Sequence, residues 1–192
     1  MVLTASTMLE LGTIAPDFAL PNVATGETVS LATFADRPAL LVMFICRHCP
    51  YVKHIQGELV QLGHDYGDRM GIVGISANNI ETHPDDAPDR LKAMVETEGI
   101  VYPICYDETQ DVAKTYTAAC TPDFFLFDGD RRLVYRGQLD DSRPGNDWPV
   151  TGADLRGAIE AVLAGEPVPT EQRPSIGCNI KWKPGNEPAY FG

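Results

Sequence analysis

Ala39 to Ile45, ALLVMFI, is an unbroken apolar run that ends on two cysteines, Cys46 and Cys49, and no other stretch restricts the fold as much. Seven apolar residues behind Pro38 read as a strand buried on both faces, the kind found where helices cover a largely parallel sheet. A helical period follows at once. Tyr51, Ile55, Leu59 and Leu62 recur at spacings of three and four, and Gly63 or Gly67 stands ready to end it. The cysteines thus fall at the carboxyl end of a core strand, where sheets of this type gather their chemistry. Two residues between the thiols leave three readings: half of a metal knuckle, a peroxide-reducing thiol, or a redox dithiol.

The rest of the chain alternates in the same way. Asp17 to Val23 and Glu27 to Thr33, separated by Thr25-Gly26, read as a hairpin preamble. Met70 to Ala77 is a second buried strand, and the polar loop NNIETHPDDAP after it holds off a helix until Asp89. Arg90 to Glu98 reads as a second helix with Leu91, Met94 and Val95 inward, Val101 to Cys105 as a third strand, and Thr109 to Tyr116 as a short helix. Phe124 to Leu139 is a strand, a Gly-containing turn and a strand. Asp141 to Pro149 is a loop, and Thr151 to Asp154 opens an amphipathic helix that ends near Gly165. Residues 166–192 hold five prolines and no helical period, so they read as an irregular tail. Ile180 and Trp182 argue that this tail packs on the rest. The order implies a three-layer α/β/α fold whose mixed sheet is parallel on one side and antiparallel on the other. Residues 1–192 form one domain in this reading, with a core at about 12–165.

Composition narrows the partners. A net charge of -12 argues against nucleic acid or an anionic membrane, since phosphate binding needs clustered Lys and Arg. No apolar run is long enough to span a bilayer, and the first residues lack the basic and apolar segments of a secretory signal, so a cytoplasmic location is expected. Five cysteines are too few and too unevenly spaced for a secreted disulfide scaffold.

Within the motif, position assigns the roles. A helix starting at Cys46 or Arg47 points unpaired N–H groups and its positive end at the Cys46 sulfur, which favours thiolate. Arg47 and His48 add positive charge, so the Cys46 pKa is expected to fall from the free value near 8.5. Cys49, one turn on, is expected to be more buried, with a higher pKa, and to resolve a mixed disulfide formed at Cys46.

The CxxC behind an apolar strand, with Thr121-Pro122 just before the strand FFLFD, resembles the thioredoxin superfamily. The preamble GTIAPDFALPN resembles the redoxin branch that holds the alkyl hydroperoxide reductase and thiol-specific antioxidant proteins, and the likeness runs from about Gly12 to Gly165. It implies a thiol-disulfide oxidoreductase with Cys46 and Cys49 catalytic, Arg47 and His48 tuning them, and Thr121 and a cis Pro122 shaping the substrate groove. It further implies a protein or small-molecule disulfide as substrate, a reducing partner such as a thioredoxin or glutathione system, and no cofactor beyond the redox-active disulfide. Ile45 and Arg47-His48 stand where thioredoxin has Trp and Gly-Pro. A histidine before the second cysteine implies a pair more oxidising than thioredoxin's, at about -270 mV. Peroxiredoxins also share the APDF opening, but they need Pro-x-x-x-Thr/Ser-x-x-Cys. Counting back from Cys46 gives Met43 and Ala39, and from Cys49 gives Cys46 and Val42, so neither register supplies the hydroxyl.

The remaining thiols divide. Cys105, in VYPICYD, reads as a core thiol. Cys120, close to Pro122, is either core packing or a third redox thiol. Cys178 is either tucked beside Trp182 or a resolving cysteine brought to the site. A four-thiolate zinc site from Cys46, Cys49, Cys120 and Cys178 lacks the paired knuckles such sites show, so no metal is expected. His54 reads as a surface residue, and Asp85-Asp86 and Asp140-Asp141 as solvated faces.

Overall fold

The computed structural model describes residues 3–191. The amino-terminal strand β1 (Leu3–Ala5) was not signalled by the sequence. The preamble forms the hairpin of β2 (Ala19–Pro21) and β3 (Thr28–Ser30), as Thr25-Gly26 implied. The apolar run becomes β4 (Leu40–Phe44), every residue of which is buried. Leu41 and Met43, with Ile45 beyond them, feed one apolar cluster, while Leu40, Val42 and Phe44 feed another on the opposite face. A strand that must supply two cores has no polar face to show.

Helix α1 (Pro50–Tyr66) packs Val52, Ile55, Leu59 and Leu62 on the first cluster. Gly57 and Gly63 within it each cost about 1 kcal/mol against alanine. Four buried aliphatic side chains at roughly 2 kcal/mol each outweigh that, so packing and not propensity holds α1. Strand β5 (Gly71–Ser76) runs parallel to β4. A 3-10 turn at Pro84–Asp86 precedes α2 (Pro88–Glu98), which starts two residues before the expected Arg90 because Pro88 is acceptable at the first helical position. Strand β6 (Ile104–Tyr106) begins later than expected, beyond Pro103, which has no N–H to give a ladder. After α3 (Asp111–Thr115) come the two-residue β7 (Cys120–Thr121) and the hairpin of β8 (Asp123–Phe127) and β9 (Leu133–Tyr135). Helix α4 (Ala153–Ala164) closes with Gly165 in the left-handed conformation.

The central sheet has the order β6-β5-β4-β8-β9, parallel through β4, β5 and β6 and antiparallel at β8 and β9. Helices α1, α2 and α4 supply one cluster, while α3 and the preamble supply the other, so the expected three-layer arrangement is present. The tail departs from the expected irregular course. Its residues 176–179 form β10 (Ile176–Asn179), which lies antiparallel between β1 and β7. Ile180 and Trp182 are buried in the second cluster, so the tail does pack on the domain.

Candidate active site

Pro50 decides the geometry of the motif. A proline is accommodated at the first position of a helix because its missing N–H is unpaired there anyway. Helix α1 therefore begins at Pro50, not at Cys46 or Arg47, and its N-cap residue is Cys49. The unpaired N–H groups of the first turn therefore stand next to Cys49 and not Cys46. The Cys46 and Cys178 thiols and the backbone N–H groups of Val52 and Cys178 lie close enough to lower the Cys49 pKa, while the Cys49 thiol donates to the Thr121 carbonyl oxygen at 3.2 Å.

The acidities follow, and they reverse the expected order. The Cys46 hydrogen bond first, then the Cys178 and Val52 donors, outweigh burial and bring the Cys49 pKa down to about 4. Burial pushes Cys46 well above the ordinary thiol value; the Cys49 sulfur and the Asp86 carboxylate add to the rise, against a smaller opposing bond to Thr121. The expected fall in the Cys46 pKa is thus corrected: its surroundings raise that thiol and lower Cys49. Both sulfurs are sealed, with 0% exposure each.

Arg47 and His48 do not act on Cys46 as expected either. Arg47 reaches outward to Asp85 at 3.4 Å, both side chains being largely exposed. His48 turns to Asp86, with Nδ1 2.5 Å from Oδ2. Asp86 is fully buried, which corrects its reading as a solvated acid. Its Oδ1 accepts the N–H groups of Arg47 at 2.8 Å and His48 at 3.1 Å, and its Oδ2 also accepts from Asn78 Nδ2 at 2.9 Å. Burial alone would raise the Asp86 pKa, but these donors hold it below the usual carboxylate value. A carboxylate 38 residues away in sequence thereby clamps the turn between the cysteines. Asp140 is likewise buried, accepting the N–H groups of Ser142, Thr151 and Gly152, while Asp141 is exposed as expected.

The other wall is the loop at Thr121-Pro122, whose peptide bond is cis. The Thr121 hydroxyl lies 3.3 Å from Cys46 Sγ, and its carbonyl oxygen lies 3.2 Å from Cys49 Sγ. Tyr51, His54, Ile55 and Phe124 line a recess beside Pro122, where His54 Nε2 meets Ser142 Oγ at 2.7 Å. Beneath the loop, the fully buried Asp123 and Arg136 pair at 3.3 Å.

The three outer thiols separate clearly. Cys105 is buried in β6 within the second cluster, and burial raises its pKa to about 12. The Cys120 thiol is directed to the carbonyl oxygens of Pro122 at 3.5 Å and Ser175 at 4.0 Å. Cys178 is not beside Trp182; it lies in the first cluster, with its thiol on Cys49.

Cys46, His48 and Asp86 bring one donor atom each within 4.8 Å of one another, the only such trio among the described residues. Four donors already occupy the Asp86 oxygens, so a cation there would have to displace them. No helix among the described residues is long and apolar enough to cross a membrane.

Comparison with known proteins agrees with the fold. The sequence profile of the AhpC/TSA family matches residues 11–136. An uncharacterized conserved protein from Geobacillus kaustophilus has a crystal structure 53% identical in sequence, with a TM-score of 0.93 over 96% of this chain and 98% of that one. The thioredoxin domain of a thiol-disulfide oxidoreductase from Bacteroides vulgatus is 21% identical, with a TM-score of 0.62 over 81% and 99% of the two chains, a likeness of fold. A Mycobacterium tuberculosis protein provisionally named a peroxiredoxin is 25% identical over 116 residues, covering 60% of this chain and 69% of that protein.

Proposed function

This chain belongs to the AhpC/TSA family, and on that footing we propose that it is a thiol-disulfide oxidoreductase working through the Cys46/Cys49 dithiol. One observation carries the reading. The two motif thiols meet the cis-proline loop at the start of α1, Cys46 Sγ 3.3 Å from the Thr121 hydroxyl and Cys49 Sγ 3.2 Å from its carbonyl oxygen, and the Cys49 pKa is lowered to about 4 there. Thiol-disulfide exchange needs a thiolate, and at neutral pH this arrangement keeps one ready.

In the reaction so read, the Cys49 thiolate attacks one sulfur of a substrate disulfide. The other sulfur leaves with the electron pair and takes up a proton. Cys46 then gives up its proton, attacks Cys49 and releases the reduced substrate, leaving a Cys46–Cys49 disulfide. This exchanges the roles that position in the motif assigned to the two cysteines. Asp86 and His48 act as positioning residues, since they hold the turn that fixes the separation of the sulfurs. Thr121 and Pro122 form the wall against which the substrate disulfide aligns. A reducing partner of the thioredoxin or glutathione kind, acting in the cytoplasm, restores the dithiol, and no bound cofactor or metal takes part.

The test is reduction of a model disulfide by the reduced protein, with trapping of the mixed disulfide in Cys46→Ser and Cys49→Ser. Substrate trapped on Cys49 in Cys46→Ser supports this order. Trapping only on Cys46, in Cys49→Ser, restores the order that position in the motif assigned.

A second reading rests on the Thr121 hydroxyl. The hydroxyl that a peroxidase places over its thiol is missing from the motif, yet Thr121 brings one to 3.3 Å from Cys46 Sγ. Peroxide consumption faster than that of a free thiol, lost in Thr121→Val, would favour peroxidase activity over disulfide exchange.

A further inference from the structure

Strand β10 brings a third sulfur to the dithiol in a defined register. Cys178 stands opposite Thr121, the residue whose side chain and carbonyl touch both motif cysteines. Gly177 permits this close approach, because a Cβ there would lie 2.0 Å from the Thr121 carbonyl oxygen. Helix α1 packs on β10, and Cys178 is only 1% exposed. Cys46, Cys49 and Cys178 share one buried cluster, the Thr121 carbonyl opposite Cys178 lies 3.2 Å from Cys49 Sγ, and Cys49 and Cys178 are close enough to shift each other's acidity. A sulfur beside the dithiol and shielded from outside oxidants is placed for exchange within the chain, its proximity offsetting a thiol pKa that burial raises to about 12.

Resting on the dithiol reading, we propose that Cys178 is a third exchanging thiol that takes Cys49 from Cys46. Starting from the Cys46–Cys49 disulfide left by a substrate, Cys178 loses its proton and attacks Cys49 Sγ. The Cys49–Cys178 bond forms and the Cys46–Cys49 bond breaks. The electron pair leaves on Cys46 Sγ, which takes up the proton that Cys178 gave up. No external oxidant is consumed, and the two-electron oxidation is moved from the motif to the tail. The product ties β10 covalently to the start of α1 and returns Cys46 to the thiol state. Cys120 stays outside the exchange, because its sulfur is directed to the Pro122 and Ser175 carbonyls.

The experiment oxidises the full chain with one equivalent of diamide, alkylates the remaining thiols and maps linked peptides by mass spectrometry. Cys46→Ser is expected to give the Cys49–Cys178 peptide in at least tenfold excess over any other linkage. Wild type is expected to show the Cys46–Cys49 peptide first and the Cys49–Cys178 peptide growing from it. The wild-type time course holds even if a variant folds poorly. A Cys46–Cys49 link in Cys178→Ser, with no Cys49–Cys178 link in either Cys46→Ser or wild type, overturns this proposal and leaves the dithiol reading standing. Absence of the Cys46–Cys49 peptide from both wild type and Cys178→Ser overturns the two together.

Discussion

Cys49 and Cys105 are equally hidden from solvent, at 0% exposure each, yet the fold drives their acidities in opposite directions. Around Cys105 there is only apolar packing, and desolvation raises its pKa to about 12. Around Cys49 the neighbouring Cys46 thiol first, then Cys178 and the Val52 backbone, outweigh burial, and the pKa falls to about 4. Burial is common to both sites, so it does not make a cysteine reactive or inert. Hydrogen-bond donors decide, and a low dielectric enlarges whichever balance they set.

The largest expected effect of breaking this contrast is on turnover. Cys49→Ser should lower the rate of disulfide reduction by on the order of 10³-fold or more, whereas Cys105→Ala should leave it within about twofold, an inert core thiol contributing packing and not chemistry. Equal losses in both variants would dissolve the distinction.

Next in size is the pH response. Thiolate absorbance near 240 nm in the reduced protein should persist from pH 8 down to about 5 and vanish as pH falls through about 4, and Cys49→Ser should abolish that step. The sign carries to stability. The folded pKa is depressed below the free thiol value, so between the two the unfolded chain binds the extra proton. The reduced form should therefore gain stability as pH rises from about 4 to about 9, and lose this contribution as pH falls through about 4. A melting temperature of the reduced protein that does not rise across this window, relative to Cys49→Ser, would contradict it.

A thiolate stabilised in the reduced form also makes the pair a stronger oxidant. Its midpoint potential, measured by equilibration with a glutathione buffer, is expected to lie above thioredoxin's, at about -270 mV. A lower value would mean that the donors around Cys49 do not distinguish the reduced from the oxidised state.

Smaller effects concern the supports. Asp86→Asn removes the carboxylate that holds Arg47, His48 and Asn78, and is expected to destabilise the fold by about 1–3 kcal/mol. Exchange should slow by roughly tenfold, one decade corresponding to 1.4 kcal/mol in the barrier. Since Asp86 raises the Cys46 pKa, the variant should also lower the second thiol titration, a readout that a merely structural role would not move. Cys105→Ala should cost only about 1 kcal/mol in chemical denaturation, the loss of one buried atom's packing.

How far the sequence discloses this site depends on distance along the chain. The strand, the dithiol, the helix and Thr121-Pro122 were legible because each carries its signal within a few residues. The start of α1 was also legible in principle: Pro50 marks a first helical position, which makes Cys49 the N-cap and reverses the expected acidities. Asp86 was not legible. Its segment, HPDDAP, has the composition of a solvated loop, and only the 3-10 turn folded back on the motif buries it. Strand β10 was hidden for a related reason. IGCN has no alternation of its own, and becomes a strand because β1 and β7 flank it from distant parts of the chain.

That flanking has a consequence in time. Ser175, just before β10, lies 53 residues beyond Pro122. At a synthesis rate of about 5–20 residues per second, roughly 3–11 s separate the appearance of the two. Throughout that interval Cys46, Cys49 and Thr121 exist on the growing chain without the strand that closes over them. The strand that pairs with Thr121 and brings Cys178 to the site is therefore made after every residue of the motif it covers.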